Sequence, residues 1–234
     1  MRVLFAALLL VLLVSGCSNP PPAPGSRRAI SPVQNSSHLI LDALPLADYP
    51  SLNKVAGLRE VQFWRRTATD EKMEALARVG FAQLQCVTMN GSSHITDRGI
   101  EALARIPTVH DLGLEGASIT DVGLGIIAAR MQPQRVNVAS CPNITAKGLL
   151  KLVQAESLKD LGFSPNRMTT AEVVRLLEES RGLERFQITG PAHHLDRAAI
   201  DRAAAAKARA RGVGLQIVFQ SAGSMQVGLP LPDK

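Results

Sequence analysis

A six-residue motif that recurs along the chain limits the folds that the sequence can adopt. Residues 119–124 read Ile-Thr-Asp-Val-Gly-Leu, residues 95–100 and 144–149 are close copies, and weaker copies occupy 68–70, 168–170 and 195–197. The hydroxyl or carboxylate position falls at residues 69, 96, 120, 145, 169 and 196, at intervals of 27, 24, 25, 24 and 27 residues. A period of this length indicates one supersecondary unit stacked repeatedly on itself.

Each copy begins with a pattern typical of a short strand. Three spaced positions are apolar, and the last two of them alternate with polar or small residues, as a strand with one buried face requires. The apolar sets are Leu58, Val61 and Phe63; Leu84, Val87 and Met89; Val109, Leu112 and Leu114; Val136 and Val138, with Pro133 in the first position; Leu158, Leu161 and Phe163; and Leu183, Phe186 and Ile188.

A helix is predicted after each strand. The Thr or Asp of the motif follows the strand by about six to eight residues and stands where a helix N-cap accepts a backbone N–H. The next residue is often aspartate, which suits the positive end of a helix, and Thr169 with Glu172 has the spacing of a capping box. Apolar residues four, seven and eight positions after the cap form one stripe of a helix. These stripes are Met73, Leu76 and Ala77; Ile100, Leu103 and Ala104; Leu124, Ile127 and Ala128; Leu149, Leu152 and Val153; and Val173, Leu176 and Leu177.

The repeated strand, turn and antiparallel helix predict one parallel sheet with right-handed returns. This arrangement resembles the leucine-rich repeat family, and specifically its cysteine-containing class with Ile-Thr-Asp-x-Gly-Leu helix starts. Cys141 and Asn166 match that family's Cys/Asn turn position, whereas Arg66, Ser92, Ala117 and Pro191 depart from it. The resemblance implies an α/β fold: a right-handed solenoid of about six to seven coils, with the parallel sheet on the concave face and the helices on the convex face.

The repeat domain is predicted to span residues 38–219. Residues 38–41 and 46–56 look like a degenerate first coil. At the other end, residues 196–211 are alanine-rich and favour a helix that Gly212 terminates. Val213, Leu215, Ile217 and Phe219 then alternate as a last strand, and residues 220–234 are predicted to be a flexible tail.

The N-terminus has the features of a bacterial lipoprotein. Residues 1–16 read as a secretory signal, with Arg2 before an apolar run of 12 residues that is too short to span a bilayer. Val14-Ser15-Gly16-Cys17 resembles the lipobox, which implies that Cys17 is acylated and becomes the mature N-terminus. Residues 17–37 are rich in proline and predicted to be a disordered tether. The alternative is an ordinary signal peptide with an incidental cysteine.

The same resemblance implies a cellular location, and the number and spacing of the cysteines bear on disulfide formation. The protein is expected to be anchored by lipid, outside the cytoplasm, in the cell membrane or the outer membrane. By analogy with lipoproteins, Ser18 in place of aspartate favours the outer membrane where one exists. Cys86 and Cys141 are too few for a disulfide scaffold. They are also predicted to lie two coils apart, beyond the ~7 Å Cα limit, so no disulfide is expected between them.

No enzyme, cofactor or metal motif emerges from the sequence. It contains no Gly-x-Gly-x-x-Gly after a strand, no P-loop and no Cys-x-x-Cys, and His193-His194 lacks a carboxylate or cysteine at ligand spacing. The chain is therefore predicted not to be an enzyme, with a site on loops as the alternative. Similar repeats occur in substrate receptors of ubiquitin ligases, but the export signal and the lack of an F-box-like segment disfavour that role.

The charge distribution points only weakly to a partner. Lys and Arg outnumber Asp and Glu by 26 to 20, a modest excess. Basic residues crowd the last helix, which suits either contact with anionic lipid or a solvated face at the negative helix end. They are Arg197, Arg202, Lys207, Arg209 and Arg211. Nucleic acid is not expected, because the chain has only six Phe, one Trp and one Tyr and is predicted to be exported.

The outward face of the sheet is the predicted binding surface. Side chains between the buried strand positions project there, and in solenoids this face commonly binds partners. The candidate residues are Glu60, Gln62, Trp64, Thr88, Asn90, Asp111, Glu115, Arg135, Asn137, Asp160, Arg185 and Gln187. Their mixed charges suit a polar protein or glycan, so we expect a binding or scaffolding module. A plain solvated sheet is the alternative.

Overall fold

Strands and helices alternate along the described part of the chain. The computed structural model describes residues 37–64, 66–212 and 214–220. The strands are β1 (His38–Ile40), β2 (Glu60–Gln62), β3 (Cys86–Thr88), β4 (Asp111–Gly113), β5 (Arg135–Val138), β6 (Asp160–Phe163), β7 (Arg185–Thr189) and β8 (Gln216–Gln220). A 3₁₀ helix (Leu46–Lys54) follows β1, and the α-helices are α1 (Asp70–Ala77), α2 (Asp97–Leu103), α3 (Asp121–Arg130), α4 (Ala146–Val153), α5 (Thr170–Glu179) and α6 (Arg197–Arg211).

The eight strands form one parallel sheet in the order of the sequence. Each strand pairs with the next, and the register places equivalent positions of the repeats side by side: Val61, Val87, Leu112, Val136, Leu161 and Phe186 form one continuous row. The predicted period and the α/β solenoid-like arrangement are therefore confirmed.

The core lies between the sheet and the helices. All the apolar strand positions predicted from the repeat are buried, including Pro133. On the helix side, Leu103, Ile127, Leu152 and Leu176 are completely buried. Where the eighth position after the cap is alanine, at residues 77, 104 and 128, it is only half-buried, because it lies at the edge of the stripe.

The predicted N-caps are confirmed in every repeat. The side chains of Thr69, Thr96, Thr120, Thr145, Thr169 and Asp196 each accept a hydrogen bond from a backbone N–H in the first turn of their helices. Thr169 and Glu172 form the complete capping box. These contacts supply partners for backbone donors that have none within the helix.

The aspartate of the motif has a second role that the sequence did not reveal: it links neighbouring coils. Asp97 accepts hydrogen bonds from the N–H (2.9 Å) and hydroxyl (2.6 Å) of Thr120 and from the N–H of Gly123 (3.0 Å). A Cβ on Gly123 would lie 2.4 Å from Asp97 Oδ1, so any other residue there would displace the carboxylate from this position. Asp70 likewise accepts hydrogen bonds from the N–H and hydroxyl of Thr96, and Asp121 accepts them from the N–H and hydroxyl of Thr145.

The weaker copies of the motif use other partners at this position. Ala146 stands where the aspartate would be, and the N–H of Thr169 in the next coil donates to its own Glu172 instead (2.8 Å). In the following coil, the hydroxyl of Thr170 accepts from the N–H of Asp196 (2.9 Å). Loss of the motif thus coincides with loss of the link at Ala146 and with a different link at Thr170, while both following helices are retained.

Removing the cap hydroxyl is expected to destabilise the domain measurably. Thr120→Ala should lower the free energy of unfolding by about 1 kcal/mol, because the N–H of Val122 loses its acceptor. Thr120→Ser keeps the hydroxyl and should have little effect. Urea denaturation of the two variants beside the wild type gives the comparison, and equal losses in both would contradict the role of the hydroxyl.

The ends of the domain agree with the predicted terminal coils, with small shifts. β1 and the 3₁₀ helix form the first coil, and Gly212 ends α6 with a φ of 65°. The last strand begins at Gln216, Val213 lies outside the described residues, and Gln220 belongs to β8, not to the predicted tail. The predicted signal, Cys17, nearly all of the tether and residues 221–234 also lie outside them. Among the described helices, none is long and apolar enough to cross a membrane.

Candidate binding site on the open face of the sheet

The face of the sheet opposite the helices, here called the open face, carries two rows of side chains set by the strand register. The first row is His38, Glu60, Cys86, Asp111, Arg135, Asp160, Arg185 and Gln216. The second row is Ile40, Gln62, Thr88, Gly113, Asn137, Gly162, Gln187 and Val218. Residues far apart in the sequence thus become neighbours about 4.8 Å apart.

A shallow depression of about 120 Å³ lies on the open face. Eight of the predicted binding residues line it: Glu60, Thr88, Asn90, Asp111, Arg135, Asn137, Asp160 and Gln187. Cys86, Leu112, Gly113, Val136 and Gly162 complete the lining. The predicted residues Gln62, Trp64, Glu115 and Arg185 do not contribute to it.

Two glycines line this depression. β4 and β6 carry the same triplet, Asp-Leu-Gly, so that Gly113 and Gly162 each follow a row aspartate by two residues. A Cβ on Gly113 would lie 2.9 Å from Thr88 Cγ2, and one on Gly162 would lie 2.8 Å from Asn137 Oδ1. The neighbouring side chains therefore close over the positions where other strands carry a side chain of their own.

The first row is a chain of paired charges. Arg135 directs both Nε (3.0 Å) and Nη2 at Asp111 Oδ2, and this hydrogen bonding raises the pKa of the Arg135 guanidinium. The next pair is looser, since Arg185 Nη1 lies 3.7 Å from Asp160 Oδ2, beyond hydrogen-bond range. Positive and negative groups thus alternate from β4 to β7.

Asp111 departs from the expectation that this row faces solvent. Its side chain is only 4% exposed, because the guanidinium of Arg135 covers it from the neighbouring strand. Oδ2 takes both hydrogen bonds from Arg135. Oδ1 lies 3.0 Å from His110 Nδ1, but within the described residues neither of these two atoms makes a hydrogen bond of good geometry.

Asp160 is mostly buried and poorly paired. Its side chain is 15% exposed, and no side chain or backbone group of the described residues donates a hydrogen bond to its carboxylate. Burial raises the pKa of Asp160, and the charges of Arg185 and Arg135 only partly offset that effect. The ionised carboxylate is therefore less well solvated here than in water.

Glu60, at the other end of the depression, is well paired. Gln62 Nε2 donates to Glu60 Oε1 (2.7 Å), and His38 Nδ1 lies 3.2 Å from Oε2. Burial alone would raise the pKa of Glu60, but the hydrogen bonds from His38 and Gln62 outweigh it and bring the pKa below its usual value. Glu60 therefore remains ionised at neutral pH.

Cys86 lies between Glu60 and Asp111 and lines the depression. Burial, and next the charge of Glu60, raise the pKa of the Cys86 thiol to about 12. A thiol in this state is a poor nucleophile. Cys141 is buried, both cysteines are free, and the predicted absence of a disulfide between them is confirmed.

Alkylation of Cys86 should therefore be slow and should respond to Glu60. Glu60→Gln removes a negative charge, so the pKa of Cys86 falls, the thiolate fraction at a fixed pH rises, and alkylation should become several-fold faster. Peptide mass spectrometry after timed iodoacetamide treatment at pH 8.5 measures this rate, with buried Cys141 as the internal control. An unchanged or slower rate at Cys86 would show that the two groups do not interact.

The predicted residues outside the depression fall into two groups. Gln62 is buried and donates a hydrogen bond to Glu60, whereas Glu115 and Arg185 are partly exposed. Trp64 is half-buried, and its indole Nε1 has no hydrogen-bond partner among the described residues. The alternation along the strands also places Cys86, Gly113 and Gly162 on this face. These three residues were not among the predicted binding residues.

The other candidate sites of the sequence are occupied by structural contacts. His194 Nε2 lies 3.1 Å from the carbonyl oxygen of Met168, and no cluster of three potential metal ligands occurs in the part of the chain that the structure describes. In α6, Lys207 donates to the Glu178 carbonyl, Arg211 donates to the Leu183 carbonyl, and Arg197 lies 4.4 Å from the ring centroid of Phe219. These contacts favour a structural role over lipid binding for much of that helix.

No protein-family model matches this chain, and a search of the curated proteins found no match.

Proposed function

We propose that this protein is a lipid-anchored leucine-rich repeat protein of the cell envelope that binds or scaffolds another protein, or a glycan, through its open face. The continuous row of charged and polar side chains, aligned over adjacent strands and surrounding a depression, is the single observation that carries the binding role. Core formation does not require such a row, because the core lies on the other side of the sheet.

The turns support assignment to the cysteine-containing class of leucine-rich repeats. The Cys141 thiol donates to the Leu114 carbonyl (3.1 Å), and the Asn166 side chain donates to the Cys141 carbonyl (3.1 Å). These two residues thus bond successive turns of the stack, which satisfies buried backbone acceptors. Ala117 makes no such side-chain bond, in keeping with its departure from the pattern.

Membrane attachment through Cys17 can be tested separately from binding. The proposal is supported by Val14-Ser15-Gly16-Cys17 and requires a blocked, acylated cysteine at the mature N-terminus. Cys17→Ser should move the protein from the membrane fraction to the soluble fraction after export. Mass spectrometry of the mature N-terminus decides the matter, and a free N-terminus at another residue would contradict it.

A binding role is better supported than catalysis. The depression is smaller than the roughly 300–1,000 Å³ of most small-molecule sites. No histidine occurs among the described residues that line it, and the Cys86 thiol has a pKa of about 12. A nucleophile with a histidine as its general base is therefore not assembled among the described residues that line the depression.

The binding role predicts a specific partner in intact cells. Membrane-permeable crosslinking of an affinity-tagged chain should recover one or a few envelope proteins or glycans. The purified mature chain with Cys17→Ser should compete for that capture when it is added to permeabilised cells. Capture that excess protein does not reduce would be non-specific and would contradict the proposal.

A further inference from the structure

We propose that the depression on the open face accepts a basic side chain, lysine or arginine, that a protein partner presents. This inference rests on the proposed function, and it specifies the chemistry that the open face recognises. The partner's ammonium or guanidinium group would approach Asp160, with its alkyl stem over Gly162.

The charge balance of the depression favours a cation. Three carboxylates line it, those of Glu60, Asp111 and Asp160, against one guanidinium, that of Arg135. Arg135 directs two nitrogens at Asp111, which leaves Asp160 without a hydrogen-bonding partner on that side.

Asp160 is the group whose bonding is incomplete. A carboxylate accepts several hydrogen bonds, yet the described residues donate none to Asp160, and Arg185 stays 3.7 Å away. Asp111, two strands away, is more than nine-tenths buried, and its Oδ1 lies beside His110 without a good hydrogen bond. A cationic donor at the partly exposed Asp160 would supply the strong, charge-assisted bonds that the protein does not.

The shape of the site favours a slender group. β6 carries glycine at residue 162, where β5 and β7 carry Asn137 and Gln187, and Gly162 lines the depression together with Asp160. Long alkyl stems of lysine and arginine bury against such surfaces while their charged ends reach polar groups. The same Asp-Leu-Gly triplet recurs two strands away in β4, but Arg135 covers Asp111 there, so Asp160 is the more accessible carboxylate.

Small amides test this chemistry without a known partner. The probes are the N-acetyl methylamides of lysine and arginine, with those of norleucine and glutamate as matched controls. The protein is the mature chain with Cys17→Ser, labelled with ¹⁵N-glycine. The basic probes should shift the amide resonances of Gly113 and Gly162 saturably at millimolar concentration, and 0.5 M salt should weaken the effect. Equal shifts from the control probes would overturn the proposal.

Three variants separate charge from shape and from folding. Asp160→Asn should weaken binding of the basic probes at least tenfold, whereas Asp201→Asn, on the exposed face of α6, should leave it unchanged. Gly162→Ala keeps every charge but adds a methyl group to the lining of the depression, with its Cβ 2.8 Å from Asn137 Oδ1, so the Asn137 side chain must shift. It should weaken binding as well. Probe binding unaffected by both Asp160→Asn and Gly162→Ala would overturn the assigned position.

The folding of Asp160→Asn provides an internal check. Because the pKa of Asp160 is raised in the folded state, ionisation at neutral pH opposes folding, and this penalty appears as the pH rises through the interval between the unfolded and folded pKa values. The variant should therefore be at least as stable as the wild type at pH 7. A clear loss of stability would assign Asp160 a structural role and overturn the proposal.

The outcomes also distinguish this inference from the proposed function. If a partner is captured through the open face but the basic probes cause no resonance shifts, the inference is overturned and the proposed function stands. Failure of both experiments would overturn both. A response to the probes without any captured protein would remove the protein partner from the proposal.

Discussion

Gly182→Ala is expected to destabilise the domain more than any other single methyl group added to its described glycines. A Cβ at residue 182 would lie 2.2 Å from the carbonyl oxygen of Glu156 and 2.7 Å from that of Leu158. Both oxygens belong to the backbone of the preceding coil, so no side-chain rotation can relieve the collision. Overpacking typically costs about 1–3 kcal/mol, and a collision with backbone atoms should fall in the upper part of that range, so urea denaturation should show a clearly lower midpoint.

Gly214→Ala is the matched control for that experiment. No heavy atom of the described residues lies within 4 Å of a Cβ at residue 214, and its φ is not in the left-handed region. The substitution should change the free energy of unfolding by less than about 1 kcal/mol, and in the stabilising direction if the unfolded chain loses freedom. Similar losses in the two variants would show that the coils are not in such close contact at residue 182.

Asp97→Ala is the second substitution with a large expected effect. It removes the acceptor for the N–H and hydroxyl of Thr120 and for the N–H of buried Gly123. An unsatisfied buried donor costs about 1–3 kcal/mol, so a loss of about 2–4 kcal/mol is expected. The coils are stacked, so the loss should appear in the whole unfolding transition.

Two further variants show whether the acceptor itself is responsible. Asp97→Asn retains one carbonyl oxygen and should lose less stability than Asp97→Ala. Asp201→Ala removes an exposed aspartate whose nearest cation, Arg197, is 3.8 Å away, and it should have an effect below about 0.5 kcal/mol. If Asp97→Ala behaves like Asp201→Ala, the link between coils makes no contribution to stability.

The order of strands and helices could be predicted from the sequence, because it depends on local signals that recur in every repeat. A cap hydroxyl such as that of Thr120 bonds a backbone N–H two residues away, and the stripe of α3 lies within eight residues of it. The link from Asp97 to Thr120 could not be predicted in this way. It spans 23 residues and depends on how closely two coils approach, which only the stacked structure fixes.

The sequence could predict which side of the sheet carries the candidate site, but not the shape of that surface. Alternation along each strand placed Asp111 and Arg135 on the same side, and the repeat period placed them in adjacent strands. Whether Asp111 would be solvated or buried depended on the side-chain conformation of Arg135, about which the pattern carries no information. The outline of the depression likewise depends on how the side chains of Thr88 and Asn137 pack over Gly113 and Gly162.

Asp160 is the residue of the open face on which the proposed binding role can best be tested. Burial raises the pKa of its carboxyl group, so ionisation of Asp160 opposes folding at neutral pH. Poorly solvated ionisable groups of this kind are frequent at functional sites. Together with its position in the depression, this supports the proposal that the open face around Asp160 is the interaction surface.

Position-resolved photo-crosslinking in intact cells tests that central claim most directly. A photoreactive residue at position 187, on the open face, is compared with one at position 178, on the exposed surface of α5. We expect a discrete crosslinked product from position 187 that disappears when Asp160→Asn is introduced, and no such product from position 178. Crosslinking from position 178 alone, or a product from position 187 that Asp160→Asn leaves intact, would contradict the account.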